Sequence, residues 1–216
     1  MQQTSTTKKL KPKGQRKTQN PCEVCFLHKN LCICEFIPKL NLKTKLTLII
    51  HARELKRTTN TGMLAVKALT NSEVFVRGKI DAPLDLTSQL TPDYRHVLFY
   101  PSDEAVELNE VFVRKSLLPI NLIVPDGNWR QASKVHHRHS ELKDLPRVMI
   151  KAPNIETQFL RAETTEFGMA TLQAIAYAFG FTEGEEVKAE LLKLYKLKLS
   201  RTLQGRGVKV QAPHSG

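Results

Sequence analysis

No apolar run in this 216-residue chain approaches the roughly 20 residues needed to cross a bilayer. The N-terminus has no apolar segment of the kind that directs secretion. Acids are absent from the first twenty residues, and cysteine is absent outside residues 22–34. The first two absences argue against a membrane or secreted protein, and with them against a disulfide framework, which needs an oxidising compartment. The expectation is a soluble, cytoplasmic protein with one good core, or a core plus a small appendage.

What is present is positive charge. The formal net charge is +12, with 33 Lys and Arg against 21 Asp and Glu, which favours a polyanionic partner. Six of the basic groups (Lys8, Lys9, Lys11, Lys13, Arg16, Lys17) lie before Pro21. Rich in Gln, Thr and Lys, residues 1–20 cannot bury a core and read as a disordered basic tail. Such a tail is either a solvated leader or an arm that finds phosphates, and the two are compatible.

The four cysteines then come together as Cys22-x2-Cys25-x6-Cys32-x-Cys34. Two close pairs separated by a loop can converge on one ion, as a tetrahedral zinc site requires. An iron–sulfur centre is the next reading and free thiols the last, while His28 between the pairs offers a substitute ligand. Four thiolates leave no open coordination position, so the expected role is structural: to fold residues 21–40 as a knuckle.

The rest of the chain, residues 41–204, alternates strand-like and helix-like stretches, with a flexible tail at 205–216. Lys45–Ile50 reads as a first central strand, Val74–Val76 as an edge-like one, and His96–Tyr100 and Arg147–Lys151 as two more. Helices are expected from about Gly62 to Leu69, from about Phe167 to Phe179 with Thr164 or Thr165 as cap, and from Glu185 to about Leu203. The last of these places Val187, Leu191, Leu194 and Tyr195 on one face and many lysines on the other. Strands alternating with helices indicate an α/β domain with a largely parallel sheet.

One stretch stands out. Ile120–Val124 reads as a buried strand that Pro125 and Gly127 break, and Trp129 to Val135 resumes with helical spacing. Such a turn delivers Asp126 to the carboxyl edge of the sheet, where open α/β folds bind ligands, beside the only tryptophan and Arg130. The plain alternative is that Asp126 is an N-cap and Trp129 core filler. Likewise Arg53, Arg57, Thr59, Asn60 and Thr61 before Gly62 read either as an anion-binding loop or as routine capping.

Taken in order, the cysteine spacing, Arg53-x3-Arg57-Thr58-Thr59-Asn60-Thr61-Gly62, Tyr100-Pro101-Ser102, Asp126-Gly127-Asn128-Trp129-Arg130-Gln131-Ala132 and Thr164-Thr165-Glu166 resemble the DTW-domain family over roughly residues 21–180. The family is named for Asp-x-Thr-Trp, and Asn128 stands here at the third position. The resemblance implies a SPOUT-like fold with a C-terminal trefoil knot, and a tRNA-uridine aminocarboxypropyltransferase. Such an enzyme moves the aminocarboxypropyl group of S-adenosylmethionine onto N3 of a tRNA uridine and releases methylthioadenosine.

On that resemblance the expected roles can be assigned. Asp126 takes the N3 proton, and Arg130 or Arg53 stabilises charge spreading to the uracil carbonyls, with Trp129 alongside. Tyr100, Pro101, Ser102, Pro125, Thr164, Thr165 and Glu166 bind the co-substrate, with Glu166 set against its ammonium. Arg53, Arg57, Thr59 and Asn60 bind tRNA. Two other readings remain: a SPOUT-type RNA methyltransferase using the same donor, and a noncatalytic zinc-containing RNA-binding protein.

If the tail contacts tRNA, deleting residues 1–19 should weaken binding and flatten its salt dependence, since each neutralised phosphate releases counterion. Affinity for S-adenosylmethionine should not change. Filter-binding titrations at several salt concentrations check this. Equal affinity at every salt concentration would reduce the tail to a leader.

Overall fold

The computed structural model describes residues 18–78, 84–127, 135, 138–151 and 169–208. A six-stranded sheet organises them, built from β1 (Lys45–His51), β2 (Ser72–Arg77), β3 (Arg95–Phe99), β4 (Val106–Glu107), β5 (Ile120–Asp126) and β6 (Arg147–Met149). The order is β2-β1-β5-β3-β6-β4, and every described pairing is parallel. Beside them lie helices α1 (Gly62–Ala68), α2 (Glu110–Val113), α3 (Thr171–Glu183) and α4 (Glu185–Gln204), with four short 3-10 turns.

The apolar runs form strands because both faces of the sheet are covered, as parallel sheets demand. Leu46, Leu48 and Ile50 of β1, Leu122 and Val124 of β5, and Val97 and Phe99 of β3 point into one core. That core also takes in Leu64 and Ala65 of α1, Ile175 and Phe179 of α3, and Leu191, Leu194, Tyr195 and Leu199 of α4. The alternate residues Ile49, Ile123 and Leu98 point to a smaller core on the opposite face with Tyr100, Leu86, Val135 and Leu142. Thr47 and Asn121 are polar yet fully buried, because the Thr47 hydroxyl donates to Asn121 Oδ1 at 2.8 Å and Asn121 Nδ2 bonds His96 Nδ1 at 3.1 Å.

Several boundaries differ from the expectations. Proline does not end β5, which runs on through Pro125 (opposite Ile49) and Asp126 (opposite Ile50). The β3 ladder stops at Ile123, so Pro125 lies where only one neighbour remains, and its missing N–H is tolerated there as on an edge. Helix α3 begins at Thr171 with Ala170 in the N-cap position, so the cap expected from Thr164 or Thr165 is not the one found. It also runs past Phe179 to Glu183. The expected strand Arg147–Lys151 is shorter, and β4 and α2 were not anticipated at all. The helical spacing read from Trp129 to Val135 lies, except for Val135, outside the described residues, as does the basic tail up to Lys17. Among the described residues no helix is long and apolar enough to cross a membrane.

Helices α3 and α4 are separated by Gly184 alone, at φ 106° and ψ 166°. This is a region open in practice only to glycine. Nothing lies within 4 Å of a Cβ added there, so a substitution meets strain and no clash. Gly184→Ala should therefore destabilise the fold by about 1–3 kcal/mol, the usual strain at such a position. Chemical denaturation gives the value. An unchanged midpoint would mean that the helix pair can relax around the junction.

Candidate functional site

Asp126 ends β5 at the carboxyl edge of the sheet, and its side chain lies on the face covered by α1 and α3. It is buried, and both carboxylate oxygens accept hydrogen bonds: Oδ2 from Asn60 Nδ2 at 2.7 Å and Oδ1 from the Thr171 hydroxyl at 2.6 Å. Bonds to a charged acceptor contribute about 1.5–3 kcal/mol each. Asn60 has a second task, since its Oδ1 accepts from Met63 N and so caps the first turn of α1. A further tie runs from Leu172 N to the Thr61 hydroxyl at 3.1 Å. The carboxylate thus sits where the end of β5 and the starts of α1 and α3 meet.

Gly62 makes this approach possible. A Cβ there would stand 2.8 Å from Asp126 Oδ2 and 3.2 Å from Leu48 Cδ1. The first position of α1 carries no side chain because the acid occupies that space.

Two basic residues line the same edge on the other face. His51 of β1 and Arg77 of β2 are opposite one another in register. Burial first, then Arg77 and Arg53, holds the imidazole of His51 below its usual pKa. Its Nδ1 accepts from Arg53 N, which leaves the proton of the neutral ring on Nε2. Arg77 is buried, and its pKa is lowered by desolvation and then by the nearby charge of Arg138.

The expected site residues divide into three sets. Asp126 and Asn60 are in direct contact, and Tyr100, Pro101 and Ser102 follow β3, the strand beside β5. Ser102 Oγ is buried and has no hydrogen-bond partner among the described residues, which suits a group kept for a ligand. Arg53 and Arg57 are not at the carboxylate: Arg53 is exposed, and Arg57 pairs at 3.0 Å with the buried Glu54. Thr59 is half-buried in the loop before α1. Trp129, Arg130, Thr164, Thr165 and Glu166 lie outside the described residues. Thr171 is not among the expected site residues, because a helix starting near Phe167 puts it inside the helix and not at its first position. A residue four positions into an expected helix does not read as a ligand of a distant strand end.

The cysteines form the second centre. The sulfurs of Cys22, Cys25, Cys32 and Cys34 all lie within 4.8 Å of one another and none is in a disulfide. Cys22 to Cys34 is 3.5 Å, Cys22 to Cys32 is 3.6 Å and Cys25 to Cys32 is 3.8 Å. A tetrahedron of sulfurs around zinc has edges of about 3.8 Å, given Zn–S bonds of about 2.3 Å. The spacing therefore fits a metal, and disulfide bonds of about 2.05 Å are ruled out. Burial raises the pKa of Cys25 and of Cys34, which disfavours their thiolates while the site is empty. The pKa of Cys22 is lowered, to about 6, chiefly by the Cys25 backbone. A cation is what would let the others ionise. His28 is not part of the cluster, because its Nδ1 accepts from Asn30 N and caps a short 3-10 turn.

One family model spans both centres. The family model described as "DTW domain" matches residues 19–203. The chain belongs to the DTW domain family. Among related proteins is tRNA-uridine aminocarboxypropyltransferase 2 of Macaca fascicularis, 23% identical over 92% of this chain and 69% of that protein. The proteins of the same name from Mus musculus and Drosophila melanogaster are 25% and 26% identical, over 79% and 81% of this chain. The chain spans 59% of the mouse protein and 72% of the fly one. A structural search finds the SAM-dependent rRNA:acp-transferase Tsr3 from Vulcanisaeta distributa, at 16% identity and a TM-score of 0.44, covering 76% of this chain and 84% of that one.

Within this DTW domain the space between Gly62 and Asp126 can be tested directly. Gly62→Ala gains up to about 1 kcal/mol in helix propensity. The overpacking against Asp126 Oδ2 should outweigh that gain, for a net loss of about 1–2 kcal/mol. Urea denaturation of the variant decides the sign. Stabilisation would show that the carboxylate has room to withdraw.

Proposed function

We propose that this chain is a tRNA-uridine aminocarboxypropyltransferase. It transfers the 3-amino-3-carboxypropyl group of S-adenosylmethionine to N3 of a tRNA uridine. The chief support is the DTW domain match over residues 19–203, which takes in every motif of the site, together with the name carried by the three relatives. A SPOUT-like topology with a C-terminal trefoil knot is part of the proposal, as is zinc in the cysteine cluster.

Uridine N3 bears a proton at neutral pH and is a weak nucleophile while it does. Asp126 is the proposed acceptor of that proton. Asn60 and Thr171 hold its carboxylate in one orientation. The N3 electron pair then forms a bond to the methylene carbon next to sulfur. The carbon–sulfur bond breaks with its electrons passing to sulfur, so the positive sulfonium leaves as neutral methylthioadenosine. The three carbons on sulfur are all activated, and the choice among them is one of position. The proposed pocket for the donor is the carboxyl end of β3 and β5, with Tyr100, Pro101, Ser102 and Pro125, joined by Thr164, Thr165 and Glu166. Arg130 and Trp129 complete the proposed catalytic set beside Asp126, and Arg53, Arg57, Thr59 and Asn60 the proposed tRNA contacts.

Asp126→Asn is the decisive variant. An amide of the same shape can accept from Asn60 and donate to the Thr171 oxygen, so the junction has a way to stay closed. Turnover should fall by about 10² to 10⁴, the range for loss of a general base. Affinity for S-adenosylmethionine should hold, and activity should recover in part at alkaline pH as solvent takes the N3 proton. A fully active variant would make Asp126 an anchor of the helices only, and loss of donor binding would make it a donor ligand. Mass spectrometry of the nucleoside product separates aminocarboxypropyl from methyl transfer.

A further inference from the structure

Helix α4 carries an unexpected residue in its buried stripe. Leu191, Leu194, Tyr195, Lys198, Leu199, Thr202 and Leu203 recur at helical spacing and are all buried. Lys198 is 0% exposed, so its amine does not escape to water along its own stem as surface lysines do. Its Nζ instead donates to the backbone oxygen of Cys25 at 2.5 Å. The same end of α4 meets the knuckle a second time, since a Cβ on Gly205 would come within 3.3 Å of Leu31 Cδ1.

One neutral carbonyl is poor compensation for an ammonium taken wholly out of water. Four thiolates around a divalent ion carry a net charge of −2, and the buried member of the set, Cys25, is the one whose backbone Lys198 holds. We propose that Lys198 is the counter-charge of the cysteine metal site, holding the loaded centre on α4 from outside its coordination shell. The proposal rests on the metal reading of Cys22, Cys25, Cys32 and Cys34. It assigns to Lys198 a positioning role that the lysine-rich helix conceals.

The full-length chain tests it. The wild type should hold about one zinc and release it slowly to the chromogenic chelator 4-(2-pyridylazo)resorcinol. Lys198→Met removes both charge and hydrogen bond, while Lys198→Gln keeps a donor for the Cys25 carbonyl and removes only the charge. Both should bind zinc about 10- to 100-fold more weakly, the usual effect of losing an outer partner of a metal site. If Lys198→Gln retains zinc as the wild type does, the hydrogen bond suffices and the counter-charge role is overturned. Should either variant fail to fold by circular dichroism, the wild type answers alone, through amine labelling read by peptide mass spectrometry. Lys198 should be protected with zinc bound and become labelled once zinc is extracted. Equal protection in both states overturns the proposal. A wild type that holds no zinc and takes up none when zinc is added fails earlier, at the metal reading itself.

Discussion

The carboxylate of Asp126 is the point on which the carboxyl edge of the sheet depends. It reaches Asn60, 66 residues away in sequence, and Thr171, 45 residues away, so three remote segments close on one charged group. Each partner is itself committed, Asn60 to capping α1 and Thr171 to opening α3. The Thr61–Leu172 bond doubles the connection, and Gly62 supplies the space. A group so placed is held to one geometry. That is the condition for a precise acid–base residue and also for a plain structural anchor.

From this junction the packing runs without a break to the knuckle. Helix α3 turns at Gly184 into α4, and the two lie close enough that a Cβ on Gly180 would touch Lys188. The far end of α4 holds Cys25 through Lys198, while Cys25, Leu27 and Ile33 belong to the same core as Leu199 and Leu203. The cysteine loop is therefore packed into the main core, and its role extends beyond its own fold. This small segment, through Leu27, Leu31 and Ile33, completes one side of the helical layer.

The parts legible in sequence were those governed by local pattern. Continuous apolar runs marked the inner strands because both sheet faces are buried, and two close cysteine pairs announced a converging cluster. Gly62 after Thr59-Asn60-Thr61 marked the start of α1 within a residue. The parts that were not legible depended on distant partners. Pro125 remains in a strand only because β3 has already ended beside it. The start of α3 at Thr171 has no strong local cap, since the tie at Leu172 comes from Thr61. Lys198 was within reach: counting from Leu191 and Leu194 places it on the buried stripe, but in a helix so rich in lysine it reads as one more solvated charge.

The alternation of side chains across the sheet also separates the charges of the edge. Asp126 projects with Val124 toward α1 and α3, whereas His51 and Arg77 project with Ile49 to the opposite face. Both sets end at the same rim, at adjacent strands. For a protein with a net charge of +12 and a proposed polyanionic substrate, this division has a physical use. A carboxylate facing phosphates would repel them, while one enclosed by helices is screened from the approaching chain. On the proposed reading, only an uncharged base has to approach the acid. Uracil itself carries no charge, so the repulsion that would keep phosphates from Asp126 does not oppose its entry.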